Sequence, residues 1–147
     1  MCLAQALDIF ATGIVAGAFA IGTFAMHPAI GQLEARGHVL FRQELIRRLS
    51  RFLPPFMLLP LVAAPAAIIW CRASVVASVD AVGFVLSVLT VAVTVFVNAP
   101  LNRRFASWAP EALRSDWHDA VDRWNAAHTV RTSIAVAAFA SAILAVR

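Results

Sequence analysis

Four runs of the chain carry almost no charge: residues 9–26, 52–71, 81–97 and 132–146. Each is close to the ~20 residues that cross a ~30 Å hydrocarbon core, so the pattern predicts four membrane-spanning helices. The last run is short, with fifteen residues between Arg131 and Arg147. Fifteen helical residues rise only roughly 22 Å, so this span is expected to begin near residue 127, with His128 and Arg131 at the edge of the apolar layer. The expected fold is all-α, a four-transmembrane-helix bundle in one domain, with spans at 8–27, 52–71, 80–98 and 127–146.

The polar segments between the runs add detail. The first run lacks a basic start and passes through Met26-His27-Pro28 without a small-residue cleavage pattern, so it reads as a retained span rather than a signal peptide. Gly13 and Gly17 make a small-xxx-small step suited to close helix packing, within the chain or in a homo-oligomer. Residues 38–51 are amphipathic, with Phe41, Leu45, Leu49 and then Phe52 at helical spacing, and the segment is expected along the membrane interface. A second interfacial helix, opened by Pro110, is expected to carry Glu111, Asp116, Asp119 and Asp122 on a solvated face. Pro54, Pro55, Pro60 and Pro65 crowd the second span. They would bend it and free backbone carbonyls.

Composition agrees with a lipid setting: 61% of residues are hydrophobic, 14% are charged and the mean hydropathy is +0.80, outside the soluble range. The net charge of +4 comes from arginine, with no lysine in the chain. Arg36, Arg42, Arg47, Arg48 and Arg51 lie between the first two spans, and Arg103, Arg104, Arg114 and Arg123 between the last two, against Arg72 alone in the middle connector. The positive-inside rule then sets both termini outside and both long connectors in the cytoplasm of a plasma (inner) membrane. No arginine stripe interleaved with aromatics points to nucleic acid. Cys2 and Cys71 have no metal or haem-attachment spacing and read as free thiols.

Polar residues converge at one end of this topology. On one continuous helix, Trp117, Val121, Trp124, His128, Arg131 and Ala135 fall within a stripe roughly 80° wide, at about 100° per residue. His27 closes the first span, Asn98 the third, and His128 opens the fourth, all on the cytoplasmic side. Pro28 and Pro100 would end or bend their helices there. Asn98 and Asn102 either cap loose backbone around Pro100 or line a polar pocket. His38 and His118 fall off the stripe and read as solvated, and Trp108 reads as part of an interfacial aromatic belt.

The element Asn98-Ala99-Pro100-Leu101-Asn102, the segment from Trp124 to Thr132 containing His128 and Arg131, and the early Met26-His27-Pro28 together resemble the anthrone oxygenase-like family of small integral membrane proteins, over essentially the whole chain. Its fungal members oxidise anthrones to anthraquinones. The connector from Asn102 to Trp124 is short beside those members, which points away from a bulky tricyclic substrate.

The resemblance implies an oxygenase for a small hydrophobic aromatic or polyketide-type substrate and dioxygen. An acidic methylene, once deprotonated, gives an electron-rich enolate that reacts with dioxygen directly, so no cofactor is required. His128, with the histidine reference pKa of about 6.5, is the expected base. Arg131, Asn98, Asn102 and His27 complete the catalytic set, with developing oxyanion charge on Arg131 and the two amides. Trp117, Trp124 and Arg103 are the expected substrate-binding residues. The rival expectations are a haem or metal ion held by His27 and His128, and a non-catalytic membrane subunit.

Overall fold

The computed structural model describes residues 1–71, 74–113 and 115–146, and among them there are helices and turns and no strand. Arg72 and Arg114, which entered the charge reasoning, and Arg147, which bounds the last apolar run, lie outside the described residues. Four helices are long and apolar enough to cross a membrane: the first, Leu3–Ile30; the second, Ala35–Trp70; the third, Ala77–Ala106; and the fourth, Trp117–Leu144. The expected spans fall on these four. Each helix packs on its chain neighbours and the fourth closes against the first, the up-down-up-down arrangement that short connectors favour.

Small residues let the helices approach. Ala11, Ala16, Ala63, Ala64, Ala67, Ala135, Ala138 and Ala142 are all buried, as expected where packing rather than water expulsion holds helices together. Gly13 belongs to this set, since a Cβ there would stand 3.0 Å from the Phe139 ring. Gly17 faces open space, so only half of the small-residue step is used within the chain. Large apolar side chains such as Phe10, Ile21, Phe24, Val62 and Phe96 are exposed and form the surface a bilayer would cover.

The helices run further than their apolar runs. In the first, Gly22–Met26 is a π-helical turn, with the His27 N–H bonded to the Gly22 carbonyl. In the third, Thr94–Asn98 is another, with the Ala99 N–H bonded to the Thr94 carbonyl. Both turns end two residues before a proline, Pro28 and Pro100. A proline ring collides with the carbonyl four residues back in a regular helix; a wider turn moves that carbonyl aside. The helices therefore continue, to Ile30 and Ala106, where the prolines were expected to end or bend them.

The second helix is continuous for 36 residues with all four prolines inside it, so the amphipathic segment 38–51 is its leading part and extends the bundle rather than forming a separate surface element. In the last connector Pro110 opens only a turn, closed by the Ala112 N–H on the Ala109 carbonyl at 3.1 Å, and the helix starts at Trp117. Trp108 is buried against Phe105, ring centroids 4.7 Å apart, and belongs to an apolar layer with Val39, Val121 and Trp124, not to an interfacial belt. Gln43 fixes this layer by donating to the Phe105 and Trp108 carbonyls at 2.8 and 3.0 Å.

Cys2 and Cys71 are joined in a disulfide, which corrects the reading as free thiols. The pairing spans 69 positions and has no local signature. It follows from the fold, because antiparallel helices bring the end of the second back to the start of the first. Two carboxylates, Asp8 and Asp80, are buried toward this end of the bundle.

Candidate functional site

At the opposite end, both π turns face the start of the fourth helix. Asn98 and Asn102 lie one turn apart and reach the same residue: the Asn98 Nδ2 donates to the Trp124 carbonyl at 3.3 Å, and the Trp124 Nε1 donates to the Asn102 Oδ1 at 2.6 Å. Asn98 is fully buried and makes no side-chain cap bond, so its amide serves the interhelical clasp rather than the helix end. Its Oδ1 has no partner among the described residues.

The clasped Trp124 stacks on His128, with ring centroids 4.8 Å apart and planes 10° from parallel. His128 in turn closes on the first helix at its π turn. A Cβ on Gly22 would lie 2.6 Å from the His128 Nε2, so only glycine leaves room for the ring. That nitrogen stands 3.2 Å from the Phe19 carbonyl. The His128 Nδ1 receives the Arg131 Nε at 3.0 Å and the Arg131 Nη2 at 2.7 Å. A guanidinium has no acceptor, so Nδ1 carries the lone pair and the neutral ring holds its proton on Nε2, which donates to Phe19. Both nitrogens of His128 are committed.

His27 is different. Its ring lies 4.6 Å from His128 and 5.0 Å from Trp124 by centroids, and no hydrogen bond engages either nitrogen among the described residues. It lines a cavity of about 230 Å³ whose walls include Phe19, Gly22, Arg42, Trp124, His128 and Arg131 at one end. Leu45, Leu49, Leu53 and Met57 of the second helix form an apolar remainder, with Ser50 and Pro54 beside them. Pro54 lacks the N–H that would bind the Ser50 carbonyl in a regular helix. One of the prolines therefore shapes the cavity wall as well as the helix.

Charge here is concentrated and buried. Arg131 is 6% exposed and Arg42 3%. Arg131 also donates to the Thr94 Oγ1 at 3.1 Å and lies over the Phe19 ring at 4.2 Å. Arg42 donates to the His38 Nε2 at 3.3 Å and the Asn125 Oδ1 at 3.2 Å, and its guanidinium carbon sits 4.7 Å from the Trp124 ring.

Of the residues singled out from sequence, the structure brings together His27, Asn98, Asn102, Trp124, His128 and Arg131. Asn102 lines the cavity; Asn98 stands behind Trp124. Trp117 is half-buried, packed on His38 at 5.4 Å and outside the cavity wall. Arg103 is exposed on the third helix and away from the cavity. His118 is exposed as expected, but His38 is buried, in correction of its solvated reading. Arg42 was counted only for topology. Its signal lay in register with Leu45 and Leu49, an arginine inside an apolar stripe at i, i+3 and i+7.

A family described as Anthrone oxygenase matches residues 42–141, from Arg42 through the whole fourth-helix constellation. The chain belongs to the anthrone oxygenase family. No curated protein and no solved structure matches it. Within this anthrone oxygenase-like chain, a haem clamped between His27 and His128 does not fit. Rings 4.6 Å apart leave no space for a macrocycle between them, and Arg131 and Phe19 hold the His128 nitrogens. Among the described residues, no three His, Cys, Asp or Glu side chains gather as metal ligands.

Proposed function

We propose that this protein oxidises an activated methylene of a small, hydrophobic, ring-bearing biosynthetic intermediate with dioxygen. The proton leaves from the methylene to a histidine; the resulting carbanion, delocalised as an enolate, reduces dioxygen and forms a C–O bond. Protonated hydroperoxide then loses water, so that CH2 and O2 become C=O and H2O. Four electrons leave carbon and four reach the two oxygen atoms, which balances the step without another reductant.

The observation that carries this reading is the uncommitted imidazole of His27 on a cavity that also holds two guanidiniums. It moves the base from His128 to His27: His128 spends its lone pair on Arg131. His128 and Trp124 then position Arg131, and Arg131 with Arg42 stabilises the enolate oxygen in a poorly hydrated site. The compact cavity favours one- or two-ring substrates. A cavity of about 150 Å³ accepts benzene, and this one measures about 230 Å³.

We further infer that both termini lie outside and that the cavity end faces the cytoplasm. The arginine-rich connectors sit at the cavity end, and the disulfide at the other end suits an oxidising compartment.

Oxygen uptake by detergent-purified protein, supplied with cyclic ketones of one or two rings bearing an activated methylene, tests the chemistry. His27→Ala should lower turnover by about 10²–10⁴-fold, the range for a positioned base, while leaving the thermal transition in place. Wild-type turnover in His27→Ala, with the fold intact, would rule out the assigned base.

A further inference from the structure

Arg42 and Arg131 approach one ring, Trp124, with guanidinium carbons 4.7 and 5.5 Å from its centroid. Both side chains are buried. Neither pairs with a carboxylate: the ion pairs of the described residues join Arg36 to Glu111, Arg47 and Arg48 to Glu44, and Arg104 to Asp116. The chain has eight acidic residues; the remaining five, Asp8, Glu34, Asp80, Asp119 and Asp122, would have to supply the partner, and among the described residues none bonds either arginine.

Two like charges held in low dielectric repel each other, and each loses hydration worth several kcal/mol. Neutral acceptors take up only part of the forks. His38 and Asn125 engage the Nε and Nη2 of Arg42 and leave its Nη1 without a hydrogen bond among the described residues. Thr94 and His128 together leave N–H bonds on Arg131 unspent. A fold gains nothing from such a pair by itself. Both side chains line the same cavity, where an anion would complete them.

We propose that the ligand enters this cavity already as an anion, a hydrophobic ring-bearing carboxylate whose oxygens lie between Arg42 and Arg131. Its ring system extends along the apolar wall formed by Leu45, Leu49, Leu53 and Met57. Arginine forks match carboxylates in geometry, and charge-assisted bonds are roughly twice as strong as neutral ones. The inference deepens the oxygenase reading by adding a ground-state charge to the substrate class, and it rests on the cavity being the substrate site.

The test compares 2-naphthoate with its neutral isostere 2-naphthamide by quenching of tryptophan fluorescence and by calorimetry in detergent, without turnover. Wild-type protein should bind the carboxylate at least tenfold tighter, and Arg42→Gln or Arg131→Gln should each erase most of that preference. Equal affinity, tighter binding of the amide, or binding of neither overturns the inference on the wild-type protein alone, even if both variants fold poorly. Failure here is separable from failure of the oxygenase reading. Oxygen uptake on neutral ketones with no preference for the carboxylate would remove only the anion, whereas carboxylate preference with no His27-dependent uptake on any substrate would remove only the oxygenase.

Discussion

His128 Nδ1 is the shared acceptor for two N–H groups of Arg131, at 3.0 and 2.7 Å. The pairing fixes the imidazole tautomer, and with it the direction of the Nε2 proton toward the Phe19 carbonyl. Nitrogen-15 NMR of histidine-labelled protein should therefore find His128 with its proton on Nε2. In Arg131→Ala the preference should relax to a mixture. A single Nδ1–H tautomer in the wild-type protein would contradict the arrangement.

Gly22→Ala places a methyl 2.6 Å from the His128 Nε2. Alanine improves helix propensity by about 1 kcal/mol, but overpacking costs about 1–3 kcal/mol. The His128 ring cannot swing aside cheaply, being held by Arg131, Phe19 and Trp124. The variant should lose turnover and alter Trp124 fluorescence as the stack opens. Unchanged fluorescence with wild-type turnover would show that the approach is not required.

Asn102→Ala removes the acceptor for the Trp124 indole N–H. An unsatisfied polar group of this kind costs about 1–3 kcal/mol in water-soluble proteins and about 0.6–2 kcal/mol between membrane helices. Thermal denaturation should register the lower figure. In a Trp124→Phe background the same substitution should cost close to nothing, because the donor is already gone; a full cost in that background would assign Asn102 a different partner.

The disulfide closes a 69-residue separation, and cross-links of this kind typically contribute about 2–4 kcal/mol. Dithiothreitol or the Cys2→Ser, Cys71→Ser double variant should lower the melting temperature by several degrees, and reduced and unreduced protein should differ in mobility on a denaturing gel. Identical melting with and without reductant would mean that the clamp does not restrain the bundle.

Orientation is testable in the cysteine-free double variant. Arg47 is exposed at the cavity end, so Arg47→Cys should react with an impermeant maleimide only after the cytoplasmic membrane is opened. Labelling in intact cells would invert the topology.

Four spans were legible because charge-free runs and bilayer thickness dictate them, and the Trp124, His128, Arg131 stripe because a regular helix preserves its period. What failed to read through was everything depending on a neighbour. Arg42 and His38 look like interface residues until the second helix runs unbroken into the membrane and carries them into the bundle. Asn98 reads as a cap or a pocket residue until Trp124 stands opposite it and takes its amide. The His128 lone pair looks available until Arg131 takes it, although the i, i+3 spacing was already visible. The disulfide needs the antiparallel return of the second helix and has no trace in spacing.

The two π turns carry a consequence for how such a site arises and is lost. A π turn is an α-helix holding one extra residue, so His27 and Asn98 owe their orientation to length as much as to identity. Winding Gly22–Met26 as regular α-helix, with no residue removed, would swing everything beyond the turn by about 100°. His27 would then face a different neighbour, with every side chain of the site still encoded. Among relatives, the boundary between reactive and inert bundles should therefore be written in how the turn ahead of each proline is wound, which a comparison of residue identities alone would miss.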